Sequence, residues 1–324
     1  MSTIISAITS VITALSTLLV SIFGYAVDLT DTTKNYRERV AGLSVYENAI
    51  ETALPQTVIY DVISEHFNSP LPEGKTEKKA VIIGFDGGRA DSLDVASLSN
   101  GGSKLLLENG GKAYIGYAGG VNYPEKNRQD TSTAPGWCSI LTGEWADVTG
   151  IYENGVNKSN DCLTLLTTLV QSGKADSSMF QTSWGGHFVN DNSTYRLEKE
   201  YCEENNLNVT FTCNSDDAGT HSGMMLAVSQ QDCPDFIFGI YEYMDHCGHG
   251  SGFSANNPKY KQAYLDDETA AYELINAIQS RGTYAQEDWL IVIASDHGGK
   301  GLTHGGRSIQ ERMTFIVCNK EINL

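Results

Sequence analysis

The chain has 324 residues, 40% hydrophobic and 19% charged with only 7 prolines, which excludes a disordered chain, a collagen-like chain and a coiled coil. A chain this long builds a core without a disulfide framework or structural metal. Its 22 basic and 40 acidic residues leave a net charge of −18, a surface that repels nucleic-acid polymers but admits a small anionic substrate held locally by metal ions.

Residues 1–27 carry no charged side chain, and the 24 residues from Ile4 to Val27 are long enough to cross a bilayer core. A signal or membrane-anchor segment is expected there, placing the protein outside the cytoplasm, secreted or anchored. Lys34, Arg37 and Arg39 follow it, and a strict positive-inside reading would put that side in the cytoplasm. An amphipathic helix packed on the domain is the alternative. Residues 28–78 read as a polar, partly helical stalk, ending in the linker SPLPEGKTEKK, and the main domain occupies 79–324.

From Lys79 onward strands and helices alternate. AVIIGFD (80–86), AYIGYA (113–118), SSMFQTSW (177–184), DFIFGIYEYMD (235–245), WLIVIASD (289–296) and MTFIVCN (313–319) are apolar runs rich in β-branched or aromatic residues. CLTLLTTLVQ (162–171) and YLDDETAAYELINAIQ (264–279) carry helical periodicity. The pattern predicts an α/β fold, a three-layer α/β/α sandwich around a mostly parallel sheet. The 7 cysteines form no CxxC. Cys202 and Cys213 bracket a short polar stretch and suit either a disulfide loop in an oxidising compartment or free thiols.

Three apolar runs end in aspartate: Asp86, Asp245 and Asp296. In parallel α/β sheets sites form at the carboxyl ends of strands, so these three are expected to converge. Four of the 7 histidines fall in DHCGHGSG (245–252) and SDHGGKGLTHGG (295–306). Asp and His together suit zinc and related divalent ions. Asp245 and His249 stand four apart and Asp296 and His297 are adjacent, whereas His246 has the poorer spacing. His66, His187 and His221 are isolated and are expected to be structural or surface residues.

FDGGRADSL (85–93), TSTAPGWCSILTGEWADVTGIYENG (131–155), DHCGHGSG and SDHGG with its following histidine together resemble the alkaline phosphatase superfamily, and within it the type I phosphodiesterase/nucleotide pyrophosphatase branch. The resemblance covers residues 79–320 and implies an alkaline phosphatase-like catalytic domain with two zinc ions, manganese being possible. Asp245, His249 and His304 would hold one ion, and Asp86, Asp296 and His297 the other with Thr133 as fourth ligand. Thr133 matches the nucleophile of the branch's T-x-P turn, and Asn154 the asparagine that binds a phosphoryl oxygen. Independently, a threonine hydroxyl needs activation of the kind metal coordination supplies, and Pro135 suits the first turn of a helix whose N-terminus favours phosphate.

Departures from the branch are visible. Its asparagine after the T-x-P turn is Gly136-Trp137 here, and its histidine before Gly-Ile is Thr149. His304 follows His297 by only seven positions, a spacing similar to phosphoethanolamine transferases and sulfatase-like members of the superfamily. The C-x-P-x-R or S-x-P-x-R motif of a true sulfatase is absent from the sequence. The expected activity is hydrolysis of a small phosphate ester through a phosphothreonine. A phosphoethanolamine-type transferase or a phosphomonoesterase is the alternative, and a catalytically silent binding protein is a remote one. Arg89 is expected to turn away and pair with Asp91. With Asn154 and the amide after Thr133 as uncharged phosphate donors, the site should then favour diesters over monoesters.

Overall fold

The computed structural model describes residues 53–92, 98–120 and 128–322. The expected leader or anchor at 4–27, and most of the expected stalk, lie outside these residues. In chain order the elements are β1 (Leu54–Pro55), α1 (Val58–Asn68), β2 (Glu77–Phe85), α2 (Gly102–Glu108), β3 (Lys112–Tyr117), α3 (Thr133–Thr142), α4 (Ala146–Thr149) and α5 (Leu165–Gln171). There follow β4 (Ser178–Thr182), α6 (Arg196–Glu204), β5 (Val209–Cys213), α7 (Asp217–Ser229), β6 (Phe236–Tyr241) and α8 (Tyr243–Ser251). The chain closes with α9 (Pro258–Gln279), β7 (Glu287–Ala294), α10 (Ile309–Arg312) and β8 (Met313–Cys318).

The eight strands form one sheet in the order β1-β3-β8-β7-β2-β6-β4-β5. β8 runs antiparallel to both its neighbours, and every other pairing is parallel. Alternate residues of β2 feed two separate cores, as the period of a strand requires. Ala80 and Ile82 join α1, α3 and α5 on one face, while Val81, Ile83 and Phe85 join α2, α7, α8 and α9 on the other. This is the expected three-layer sandwich. Burial on both faces is why β2, β6, β7 and β8 read as unbroken apolar runs.

Two expectations change and one open choice closes. Residues 54–68 belong to the domain rather than to a stalk: β1 pairs with β3, and Val58, Ile59, Ile63 and Phe67 of α1 lie in the core. The run 235–245 does not stay extended to Asp245. It leaves the sheet after Tyr241, and Asp245 stands in the first turn of α8. Cys202 and Cys213 are free thiols, one on α6 and one ending β5, and the polar stretch between them is a turn leading into the edge strand.

Candidate metal centre

β7, β2 and β6 are adjacent and parallel, so their carboxyl ends open on the same edge of the sheet. Asp86 follows β2 directly, Asp296 and His297 follow β7, and α8 starts two residues after β6 with Asp245 and His249 one turn apart. The loop between β7 and α10 returns His304 to the same place. Two groups result, Asp86–Asp296–His297 and Asp245–His249–His304, each with ligand atoms within 4.8 Å of one another. The His297 and His304 rings lie 4.2 Å apart between centroids, so the groups adjoin. All six residues named from the sequence are brought together, and His66, His187, His221 and His246 fall outside both groups.

The first group is buried. His297 Nε2 stands 3.5 Å from Asp86 Oδ1 and 3.5 Å from Asp296 Oδ2. The Trp137 indole Nε1 donates to Asp86 Oδ2 at 2.9 Å, and the Gly87 N–H donates to Asp296 Oδ1 at 3.2 Å. In the second group His249 Nε2 lies 3.3 Å from Asp245 Oδ2, and His304 Nε2 lies 3.6 Å from Asp245 Oδ1. Each histidine turns Nδ1 to a backbone carbonyl: His297 to Gly298 at 2.7 Å, His249 to Leu302 at 2.9 Å and His304 to Thr131 at 3.1 Å. With Nδ1 donating its proton there, the Nε2 lone pair faces the centre, the arrangement that fixes a metal-binding tautomer.

Burial, then the charges of Asp296, Glu242 and Asp245, push Asp86 well above the usual carboxylate range. Burial does the same to Asp296, with Asp245 and Glu242 adding to it against the opposing Gly87 N–H. Burial and the nearby His304 drop His297 to about 3, and burial lowers His304. The hydrogen bond to Asp245 raises His249. Asp245 Oδ1 and Asp296 Oδ2 are buried with no hydrogen-bond partner among the described residues. Orphaned carboxylate oxygens beside neutral imidazole Nε2 atoms, in a site that disfavours bare negative charge, form a donor set that fits two divalent cations.

Thr133 is the first residue of α3 and buried, and its N-terminal neighbour Ser132 is extended. Its hydroxyl donates to Asp86 Oδ1 at 3.4 Å and lies 3.5 Å from His297 Nε2. Asn154 also reaches this helix terminus. Its Oδ1 accepts the Ala134 N–H at 2.8 Å, so this amide is already engaged and the Asn154 Nδ2 donors remain. Arg89 pairs with Asp91 as expected, Nε to Oδ1 at 2.8 Å and Nη2 to Oδ2 at 2.6 Å.

Trp137 is the partner that sequence reasoning missed. The only signal was negative, the Gly136-Trp137 departure at the T-x-P turn. A Cβ at Gly136 would come within 2.8 Å of both the Cβ and the carbonyl oxygen of Asp296, so α3 approaches the β7 end closely only with glycine there. The next residue then delivers its indole to Asp86.

An α/β/α sandwich with two Asp/His groups at the carboxyl edge, beside a helix that begins with a buried threonine hydroxyl, defines the candidate metal centre. Residues 80–310 match the family type I phosphodiesterase / nucleotide pyrophosphatase, and the chain belongs to that family. No curated protein matches the sequence. Among solved structures it is similar to murine ectonucleotide pyrophosphatase/phosphodiesterase 5, an inactive variant in complex with AMP, at 16% identity and a TM-score of 0.48 over 69% of this chain and 58% of that one. Alkaline phosphatase from the Antarctic bacterium TAB5 is similar at 12% identity and 0.47, over 75% and 91% of the two chains. The 2-O GAG sulfatase BT1596 reaches 0.50 at 12% identity, over 75% and 64%, a likeness of fold alone. The chain thus spans 58% of the length of the murine protein. Among the described residues no helix is long and apolar enough to cross a membrane.

Proposed function

We propose that the protein is a two-zinc phosphodiesterase that works through a phosphothreonine at Thr133. The observation carrying this reading is the Thr133 hydroxyl, held between Asp86 and His297 at the N-terminus of α3. Asp86, Asp296, His297 and Thr133 would hold one ion and Asp245, His249 and His304 the other. Zinc suits three imidazoles with carboxylates, and manganese fits the same oxygens and nitrogens. When bound, the two cations supply Lewis acidity, favouring the alkoxide over the hydroxyl and spreading the charge of an in-line displacement.

The protein's own residues do the rest. Thr133 Oγ1, its proton released to solvent as the hydroxyl ionises, attacks phosphorus while the bond to the leaving oxygen breaks, and the expelled alkoxide takes a proton from solvent. The phosphoryl group then rests on Thr133 at the positive end of the helix dipole. Asn154, fixed through its Oδ1, offers Nδ2 to a non-bridging oxygen without adding charge. Because Arg89 is committed to Asp91, the donor is neutral and suits the single charge of a diester better than the roughly double charge of a monoester. Water returns Thr133 to its free form. The short loop from His297 to His304 favours a second reading, in which a sugar or lipid hydroxyl replaces water in a phosphoethanolamine-type transfer. Residues 4–27 would export or anchor the enzyme.

Elemental analysis combined with turnover of bis(p-nitrophenyl) phosphate and p-nitrophenyl phosphate tests the reading. Two metal equivalents with faster diester cleavage are expected, together with a phosphothreonine trapped by acid quench and located at Thr133 by mass spectrometry. Absence of metal, or faster monoester cleavage, refutes it. Turnover that starts only on adding an acceptor alcohol points to the transferase.

A further inference from the structure

Arg89 has no part in the chemistry above, yet it is buried, with 8% exposure, on the loop that follows Asp86. Its bidentate pair with Asp91 holds the guanidinium flat and leaves Nη1 pointing inward. Nη1 donates to the Phe253 carbonyl at 2.8 Å and reaches the Gly299 carbonyl at 3.4 Å. These carbonyls belong to the two segments that deliver the second ligand group. Phe253 follows α8, the helix of Asp245 and His249, and Gly299 lies on the loop running from His297 to His304. The Phe253 N–H closes the same junction by donating to the Gly301 carbonyl at 2.8 Å.

Phe253 carries the constraint to the ligands. Its ring stands edge-on to His249 at 5.3 Å and to His304 at 6.0 Å between centroids. A Cβ at Gly248 or at Gly299 would overlap this ring, so α8 and the loop both close directly on it. The two carboxylates of the first group have other supports. Asp86 and Asp296 extend strands in direct register, Gly84 opposite Ala294, and are held by Trp137 and the Gly87 N–H.

We propose, resting on the two-metal reading, that Arg89 is a positioning residue for the second ligand group, Asp245–His249–His304, and not for the first. Through Phe253 it sets the mutual placement of His249 and His304, and so the affinity of one metal site alone. Loss of an outer partner of metal ligands typically weakens binding about 10–100-fold.

The test titrates the metal-free full chain with Zn²⁺ against a chromogenic chelator, for the wild type, Arg89→Met and Arg89→Lys. The wild type should take up two equivalents. Arg89→Met should keep one at wild-type affinity and bind the second about 10–100-fold more weakly. Arg89→Lys should fall between, because one ammonium cannot grip Asp91 in bidentate fashion and also hold the two carbonyls. Equal weakening of both equivalents, or of neither, overturns the proposal. Should circular dichroism show Arg89→Met unfolded, Arg89→Lys and Phe253→Leu decide by the same criterion. A wild type that binds fewer than two equivalents defeats the two-metal reading itself. A wild type that binds two, beside variants that change neither, defeats only the role of Arg89.

Discussion

Stripping the metal with a chelator should cost the protein more stability as pH rises. Asp86 and Asp296 are buried side by side, and both are pushed well above the usual carboxylate range. Without cations the fold therefore keeps at least one proton that the unfolded chain sheds above about pH 4. Unfolding then releases a proton, and stability falls by about 1.4 kcal/mol per pH unit for each proton kept. That loss accumulates over whatever part of the range above about pH 4 the folded carboxyl keeps its proton. His249, raised by Asp245, acts in the same direction, whereas His297, at about 3, and His304, also lowered, are neutral in the fold and add nothing to the difference between stripped and loaded protein. A carboxylate bound to a cation needs no proton, so the loaded protein lacks this slope. At about 2–4 °C per kcal/mol, the Tm gap between loaded and stripped protein should widen by roughly 3–6 °C per pH unit while that proton is kept. Scanning calorimetry with and without chelator measures the gap. Metal titrations in two buffers of different ionisation enthalpy should show release of at least one proton per chain. A gap independent of pH, with no proton release, would refute the account of the buried carboxylates.

Thr133→Ala should abolish turnover while metal content, read by elemental analysis, stays nearly unchanged. Rates comparable to wild type would move the nucleophile to Ser132 or to water. Asn154→Ala should slow diester cleavage by about 10²–10³-fold, the usual loss for a preorganised donor, checked by steady-state kinetics. Gly87→Ala places a Cβ 2.8 Å from Asp245 Oδ1 at a backbone φ of +70°, so it should weaken metal binding more than it lowers the Tm of the stripped protein, read by chelator competition and thermal melts.

Those strands buried on both faces were legible because nothing polar interrupts them, and Asp86 and Asp296 were legible as their first polar successors. Asp245 was placed correctly in the centre but on the wrong element. The apolar run continues through Tyr241 and Met244 while the backbone has already turned helical, and composition alone does not mark that change of period. β5 escaped notice because an edge strand is only half-buried, and Val209–Cys213 alternates with threonines. α1 was hidden in a polar surrounding, since only the face bearing Ile59, Ile63 and Phe67 meets the core. The clustering of His249, His297 and His304 followed from residue type and spacing, but the carbonyls that hold their Nδ1 atoms did not. Leu302, Gly298 and Thr131 supply backbone oxygens, and a backbone oxygen leaves no trace in a sequence. The bond from Trp137 to Asp86 joins residues 51 positions apart, and its direction depends on how closely α3 settles on the sheet.

The place of β8 has a consequence for how the protein is made. Among the described residues β1 and β3 reach the rest of the sheet only through β8, the last of the eight described strands, and β2 pairs with β7 rather than with an early neighbour. A nascent chain emerging from the ribosome therefore holds two unjoined pieces, β1 with β3 and β2 with β6, β4 and β5, each showing an unpaired apolar edge. Glu287 begins β7, the strand that closes the β2 edge, 202 positions after Phe85 ends β2, counted as 287 − 85. At about 5–20 residues per second, the β2 edge waits on the order of 10–40 s for its sheet to close. Throughout that interval strand-edge association competes with folding, so synthesis should depend on a holding chaperone until β7 and β8 have emerged.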